Sequence, residues 1–330
     1  MTPGRSDSFP YLAGFDIIDV HGHLFPADYV DRLVALGHTT ADGVRRIGAG
    51  DTAEELSLRF ELMDRVGINL QVVSPSSLVP WVGGPAEAAD VARSGNDRFA
   101  DLVSRHPARL AAFAVLPLPH VDASLEEVER ALALPGIVGF AVTTSVAGRS
   151  IADATFEPLF EQLNRRGAVL FVHPAGVDAE SALIREAGLS WLIGAPIEDT
   201  VAAVHLIARG IPARFPAMRI VIPHLGGALP MLLGRLDAQF PRLVPDAPEL
   251  PSAAVRRLWF DTVRHGLDTA LAAAVASFGA DRLVLGTDYP YLRGEQVEVE
   301  VSSVRKAALD APAIEGILGR TASDLLGIDP

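Results

Sequence analysis

Polar side chains able to do metal and proton chemistry sit at the ends of apolar, strand-like runs spread across the chain. His21 and His23 close Ile-Ile-Asp-Val-His-Gly-His, and His173 closes Val-Leu-Phe-Val-His-Pro. His224 closes Ile-Val-Ile-Pro-His, and Asp288 lies in Leu-Val-Leu-Gly-Thr-Asp-Tyr-Pro. Each follows β-branched or aromatic residues and precedes a Gly or Pro turn. Three imidazoles and a carboxylate suit one divalent metal ion. His21 and His23 are two apart, so on a strand they project to one side. Taken singly, each has a plain reading: a His-x-His pair without an ion, a satisfied core histidine at 173, a turn cap at Asp288. Their common placement argues for one shared metal site. His224 has two readings, a further ligand or a general acid/base beside the ion, for which imidazole is well suited near neutral pH.

Such residues converge only if the elements beneath them do. The expected strands are Phe15–Val20, Leu70–Ser74, Leu110–Leu116, Ile137–Thr143, Ala168–Val172, Arg219–Ile222, Leu258–Asp261 and Leu283–Leu285. They are near-continuous apolar runs, the pattern of parallel strands buried on both faces. Helical segments are expected near 86–105, 124–134, 156–166, 198–209, 231–240, 267–278 and 301–326. Thr52-Ala-Glu-Glu55 has the form of a capping box, opening a helix that Gly67 closes. Strand then helix, eight times, predicts an α/β fold, the (β/α)8 TIM barrel. An open doubly wound sheet would not bring strands one, five, six and eight to one point. The barrel does so at its C-terminal face.

We read residues 1–330 as one domain, with 1–14 a tail. Residues 24–50, after strand one, are long for a βα loop and form an insertion or lid that holds His38 and Arg45-Arg46.

Cysteine is absent, which excludes thiolate ligands, disulfides and a Cys nucleophile. The net charge of −13 argues against nucleic acid as a partner. No apolar run reaches about 18 residues, so no membrane span is expected, and the N-terminus lacks a secretory pattern. The expected setting is cytoplasmic.

At these motifs the chain resembles the amidohydrolase superfamily, in particular its decarboxylases of 2-amino-3-carboxymuconate-6-semialdehyde and of salicylate- and resorcylate-type acids. The likeness runs from Asp19 to about Leu325. It is carried by Asp-Val-His-Gly-His, Phe-Val-His-Pro, Trp-Leu-Ile-Gly-Ala-Pro-Ile-Glu-Asp-Thr, Pro-His-Leu-Gly-Gly-Ala-Leu-Pro and Gly-Thr-Asp-Tyr-Pro-Tyr. The resemblance implies that His21, His23, His173 and Asp288 hold one metal and that His224 is the catalytic acid/base, with Asp288 also in the catalytic set. It implies that Arg235 reaches a substrate carboxylate across a homodimer, and that Trp191 and Tyr291 flank a planar substrate. Arg46 is a further anion-binding candidate. The remaining histidines at 38, 106, 120, 205 and 265 are expected outside the site.

Two-metal members of that superfamily bridge their ions with a carboxylated lysine on strand four. Here strand four has neither lysine nor acid, and the chain's single lysine is Lys306. One ion is therefore expected, zinc by its imidazole-rich donors, with manganese as the alternative. Around His224 the chain has Pro-His-Leu where many relatives have Ala-His-Gly, which bears on pocket shape. The implied reaction is non-oxidative decarboxylation of an aromatic or unsaturated carboxylic acid. Hydrolysis of a lactone, amide or C–C bond uses the same parts and is the alternative.

Overall fold

The computed structural model describes residues 17–177, 181–264 and 266–328. Eight strands among them form one sheet: β1 Ile18–His23, β2 Leu70–Ser74, β3 Leu110–Val115, β4 Ile137–Thr143, β5 Val169–His173, β6 Arg219–Ile222, β7 Trp259–Asp261 and β8 Leu283–Val284. Each pairs in parallel with the next in sequence. The sheet closes on itself where Val20 N–H donates to Leu285 O at 2.9 Å and His23 N–H donates to Tyr289 O at 2.7 Å. This is the (β/α)8 barrel that the apolar runs predict.

Strand β1 runs three residues further than the expected Phe15–Val20, and Phe15 and Asp16 lie outside the described residues. Its pairing with β2 shifts register between Asp19 and Gly22. So His21 and His23 sit within an irregular strand end rather than beyond it. A bulge of this kind re-aims side chains, and bulges concentrate at barrel rims and active sites.

Alternate residues of the strands, among them Val20, Val72, Phe113, Val138, Phe171, Val221 and Val284, are buried together in one cluster. The helices pack a second, larger apolar layer around them. Helices fall where the periodicity places them. Ala53–Val66 has the full Thr52/Glu55 capping box and ends at Gly67 in the left-handed conformation. A short hairpin, Ser145–Val146 with Arg149–Ser150, was not foreseen.

Residues 24–50 fold into the helix Ala27–Ala35 and a 3-10 turn, Ala41–Arg46. Phe25, Tyr29, Val30 and Leu33 pack against Leu78, Val79 and Val91, so this segment shares a small apolar cluster with the loop and helix that follow β2.

The helical stretch Ser190–Ala208, 19 residues of mean hydropathy 1.3, is long and apolar enough to cross a membrane by length and composition. This qualifies the expectation from sequence. Half of it is buried inside the protein, and Glu198 and Asp199 point inward among its buried residues. Its inward side packs on the barrel, while Trp191, Leu192, Ile193, Ile197 and Val201 stay exposed.

Candidate metal centre and active site

Four residues from three regions of the chain meet at the C-terminal face. One donor atom each from His21, His23, His173 and Asp288 lies within 4.8 Å of the others, and all four residues are buried. His21 Nε2 is 3.2 Å from His23 Nε2, and Asp288 Oδ1 is 2.9 Å from His23 Nε2 and 3.4 Å from His21 Nε2.

The opposite nitrogens explain why these atoms face inward. His21 Nδ1 donates to Asp261 Oδ2 at 2.7 Å. His23 Nδ1 donates to Ser76 O, and His173 Nδ1 donates to Pro174 O at 2.9 Å. A carboxylate or carbonyl only accepts, so each Nδ1 carries the proton and each Nε2 offers a lone pair. Lone pairs facing one another at 3.2 Å repel unless something positive lies between them. The donor set therefore fits a divalent cation, and the outer hydrogen bonds have the pattern that orients histidine ligands.

The electrostatics agree. Burial holds His173 well below the usual imidazole range, and burial also lowers His23, so both stay neutral. Burial opposes ionisation of Asp288, yet its interactions with His23, His21 and His224 outweigh it and hold the carboxyl below the ordinary range.

His224 stands beside the ligand set and outside it. Its Nε2 is 4.0 Å from Asp288 Oδ2, and its Nδ1 donates to Asp199 Oδ2 at 2.8 Å. Among the described residues, the metal-capable donor group does not include His224. Burial pulls its pKa down, but Asp199, then Asp288 and Asp261, raise it to about 9. A cation in the cradle would draw that value down again.

The backbone here is unusual. His224 and Leu225 have φ of 52° and 54°, and Asp288 has φ of 57°, a region that side-chain-bearing residues seldom adopt. His224 N–H is held by Asp261 Oδ1 at 2.8 Å, and Asp288 N–H by His21 O at 2.8 Å. Gly227, at φ 63°, closes the turn against Pro196 O, where a Cβ would not fit. Asp19 accepts from His21 N–H and Thr287 N–H, both at 3.0 Å, tying β1 to the loop that bears Asp288.

Tyr291 joins this site, its ring edge-on to His23 with centroids 4.9 Å apart. Burial and the Asp288 charge push its phenol up to about 12. Trp191 lies over Gly176, in the loop after His173, and is 56% exposed. Arg235 and Arg46 are exposed on the helix Leu229–Leu243 and at the end of the 3-10 turn. The structure brings neither arginine into contact with the cluster. Arg293, from the loop after Asp288, donates to Ile47 O and so ties Arg46's turn to the mouth. Among the described residues, the metal-capable group does not include His38, His106, His120 or His205, and His265 lies outside the described residues.

Sequence reasoning missed Asp261 and Asp199. Asp261 ends β7 as the other site residues end theirs, so the same strand-end signal was available. Asp199 offered a weaker one, an acid inside a largely apolar helix. A cavity of about 640 Å³ opens at the opposite end of the barrel, lined by Arg219, Trp259, Arg282 and Arg320. Its arginines already serve structure: Arg219 caps the carbonyls of Asp324 and Leu325, and Arg282 stacks on Trp259.

Comparison with known proteins places this geometry in context. A family model described as Amidohydrolase matches residues 18–328. The 2-amino-3-carboxymuconate-6-semialdehyde decarboxylase of Dictyostelium discoideum is 28% identical over 336 residues, covering 95% of this chain and 92% of that protein. The gamma-resorcylate decarboxylase of Rhodococcus jostii is 27% identical over 253 residues, covering 71% of this chain and 77% of that one. A solved dihydroxybenzoic acid decarboxylase from Polaromonas, with bound manganese, superposes with a TM-score of 0.79 at 21% identity, covering 96% of this chain and 98% of that one.

Proposed function

The chain belongs to the amidohydrolase family, and from that premise we propose that it is a metal-dependent, non-oxidative decarboxylase of an aromatic or unsaturated carboxylic acid. One observation carries the reading. Four donors converge on a point while a fifth imidazole, His224, is held beside them with Nε2 directed at Asp288 and kept out of the ligand set. Structural metal sites use closed ligand shells, and an extra oriented imidazole belongs to catalysis. The names of the relatives support the reaction class.

His21, His23, His173 and Asp288 hold one divalent ion. It supplies Lewis acidity towards substrate oxygens when bound. Zinc suits three imidazoles, and the manganese of the Polaromonas neighbour makes that ion the alternative. His224 holds the transferable proton at Nε2. Delivered to the carbon that bears the carboxylate, it lets the C–CO2 electrons pass into the new electron sink, so CO2 leaves without a free carbanion. Asp288 supplies the one carboxylate of the proposed ligand set. Tyr291 walls the mouth with its aromatic face, and Trp191 borders the loop after His173. Arg46 and Arg235 are the groups that would meet the carboxylate.

A second copy of the chain is the proposed partner. Leu183, Trp191, Leu192, Ile193, Ile197 and Val201 leave an apolar face exposed, and Met231 adds to it at 81% exposure. Faces of this extent mark association sites. Arg235 is one turn from Met231 on the same helix. Pairing through this face would give Arg235 a route to the partner's mouth that it lacks within its own subunit.

The test is a panel of muconate-type and hydroxybenzoic acids, with CO2 release scored against ring-opened or hydrolysed acid and metal content measured by elemental analysis. CO2 release with about one ion per chain is expected. Hydrolysis without CO2 would replace the reading with the hydrolase alternative. His224→Ala should keep its metal and lose turnover; full activity would remove His224 from the mechanism.

A further inference from the structure

We propose that Asp199 is the positioning residue that fixes which nitrogen of His224 faces the reaction. The inference rests on His224 as the acid/base. Asp199 is fully buried in the first turns of the helix Ala195–Ala208, and its Oδ2 accepts from His224 Nδ1 at 2.8 Å. Its other oxygen, Oδ1, is buried with no partner. A buried carboxylate half-satisfied in this way is costly, so its retention calls for a use beyond stability.

Two carboxylates from different elements divide the control of His224. Asp261, at the end of β7, holds the backbone N–H and so fixes where the residue stands on its left-handed turn. Asp261 also holds His21, so it belongs to the metal cradle as well. Asp199 touches the ring alone: among the described residues its side chain has His224 as its one hydrogen-bond partner. Its hydrogen bonding reaches the site through that imidazole, and beyond it Asp199 acts on Asp261 and His21 only through space. Because a carboxylate cannot donate, Nδ1 must keep its proton, and exchange is confined to Nε2, the atom 4.0 Å from Asp288 Oδ2. When Nε2 receives a proton the ring becomes imidazolium, and the adjacent anion offsets its charge without itself taking the proton.

The test uses full-length, zinc-loaded protein. In wild type, the nitrogen chemical shifts of His224 should show Nδ1 protonated whenever the ring is neutral. A neutral ring protonated at Nε2 would overturn the inference without any substrate. Asp199→Asn presents an amide in place of an acceptor-only group. It should lower kcat on the order of 10²- to 10⁴-fold on the panel acid that turns over best, the range typical of losing such a partner. KM should stay within about threefold and metal content unchanged, since a residue acting only through the ring removes transition-state and not ground-state binding. In a His224→Ala background the same change should cost nothing further, because residues acting as one unit are non-additive. A purely structural role would instead lower thermal stability and metal content while leaving the kcat effect additive with His224→Ala. The failures separate. An active His224→Ala protein sinks the acid/base reading, whereas an inactive His224→Ala beside a fully active Asp199→Asn sinks this inference alone.

Discussion

Asp261→Asn is the substitution in which the geometry makes its sharpest demand. Asp261 Oδ1 accepts two backbone N–H groups, His224 at 2.8 Å and Val263 at 3.1 Å, while Oδ2 accepts from His21 Nδ1 at 2.7 Å. An asparagine has one oxygen for these two sides. The two backbone donors, worth about 1 kcal/mol each, take it, which turns the amide NH2 towards His21. The imidazole must then offer Nδ1 as acceptor and carry its proton on Nε2, the atom 3.2 Å from His23 Nε2. That proton occupies the ligand lone pair. Binding a metal would require the proton to return to Nδ1, setting one N–H against another. Loss of such an orienting partner weakens metal affinity about 10- to 100-fold, or about 1.4–2.7 kcal/mol. Competition against a chelator of known affinity measures it. Both turn bonds survive in the variant, so the metal-free melting temperature should move by only about 2 °C. Wild-type metal affinity in Asp261→Asn, alongside lost affinity in His21→Ala, would refute the tautomer argument.

Other perturbations have defined outcomes. His173→Ala should abolish metal retention on purification, and near-stoichiometric metal in it would remove His173 from the ligand set. Arg235→Ala should raise KM about 10- to 100-fold, the loss of a charge-assisted contact of about 1.5–3 kcal/mol. Mixing it with a His224 variant should restore some activity if the arginine acts across two subunits, and no recovery would count against sharing. Burial pushes the Glu300 carboxyl up to about 7, although Arg264 at 3.1 Å draws it down. A raised native value means the fold binds a proton that the unfolded chain has released, so this group's contribution is whole below about 4.5 and is lost as pH rises through about 7. Between pH 5 and 8 the urea-derived stability of Glu300→Gln should therefore gain about 1–3 kcal/mol relative to wild type. A difference that does not change with pH would contradict this.

The barrel and the convergence of the four candidate ligands were legible because both rest on local patterns. An apolar run that stops at a histidine marks a strand and its C-terminal end at once, and eight apolar runs in all leave little choice of topology. What escaped was long-range pairing. Asp261 meets His21 across 240 positions, and nothing near either residue announces the bond. The extent of β1 was misjudged because the bulge at Asp19–Gly22 lets the strand continue through two polar residues. In the insertion, Tyr29, Val30 and Leu33 carry helical spacing that a reading focused on its length passed over. Arg46 and Arg235 came from resemblance and not from pattern, and these are the residues the single chain leaves apart from the site.

The strained backbone and the polar network are one device. Left-handed φ at a non-glycine residue costs on the order of 1–3 kcal/mol, and His224, Leu225 and Asp288 all adopt it. Glycine would relieve the cost at 224 or 288 but would remove the imidazole or the carboxylate. The chain keeps the side chains and restrains the backbone by bonds to other site residues. His224 N–H goes to Asp261, Asp288 N–H to His21 O, and Thr287 N–H to Asp19. Each restraint thus ends on a candidate metal ligand or on a carboxylate that orients one. Disturbing one ligand therefore releases strain at another, and the ligand geometry should fail as a unit. This coupling also explains why His224 can stand 4.0 Å from an Asp288 oxygen without joining the candidate ligand group. Its position is fixed from behind, by Asp199 and Asp261, before any ion or substrate arrives.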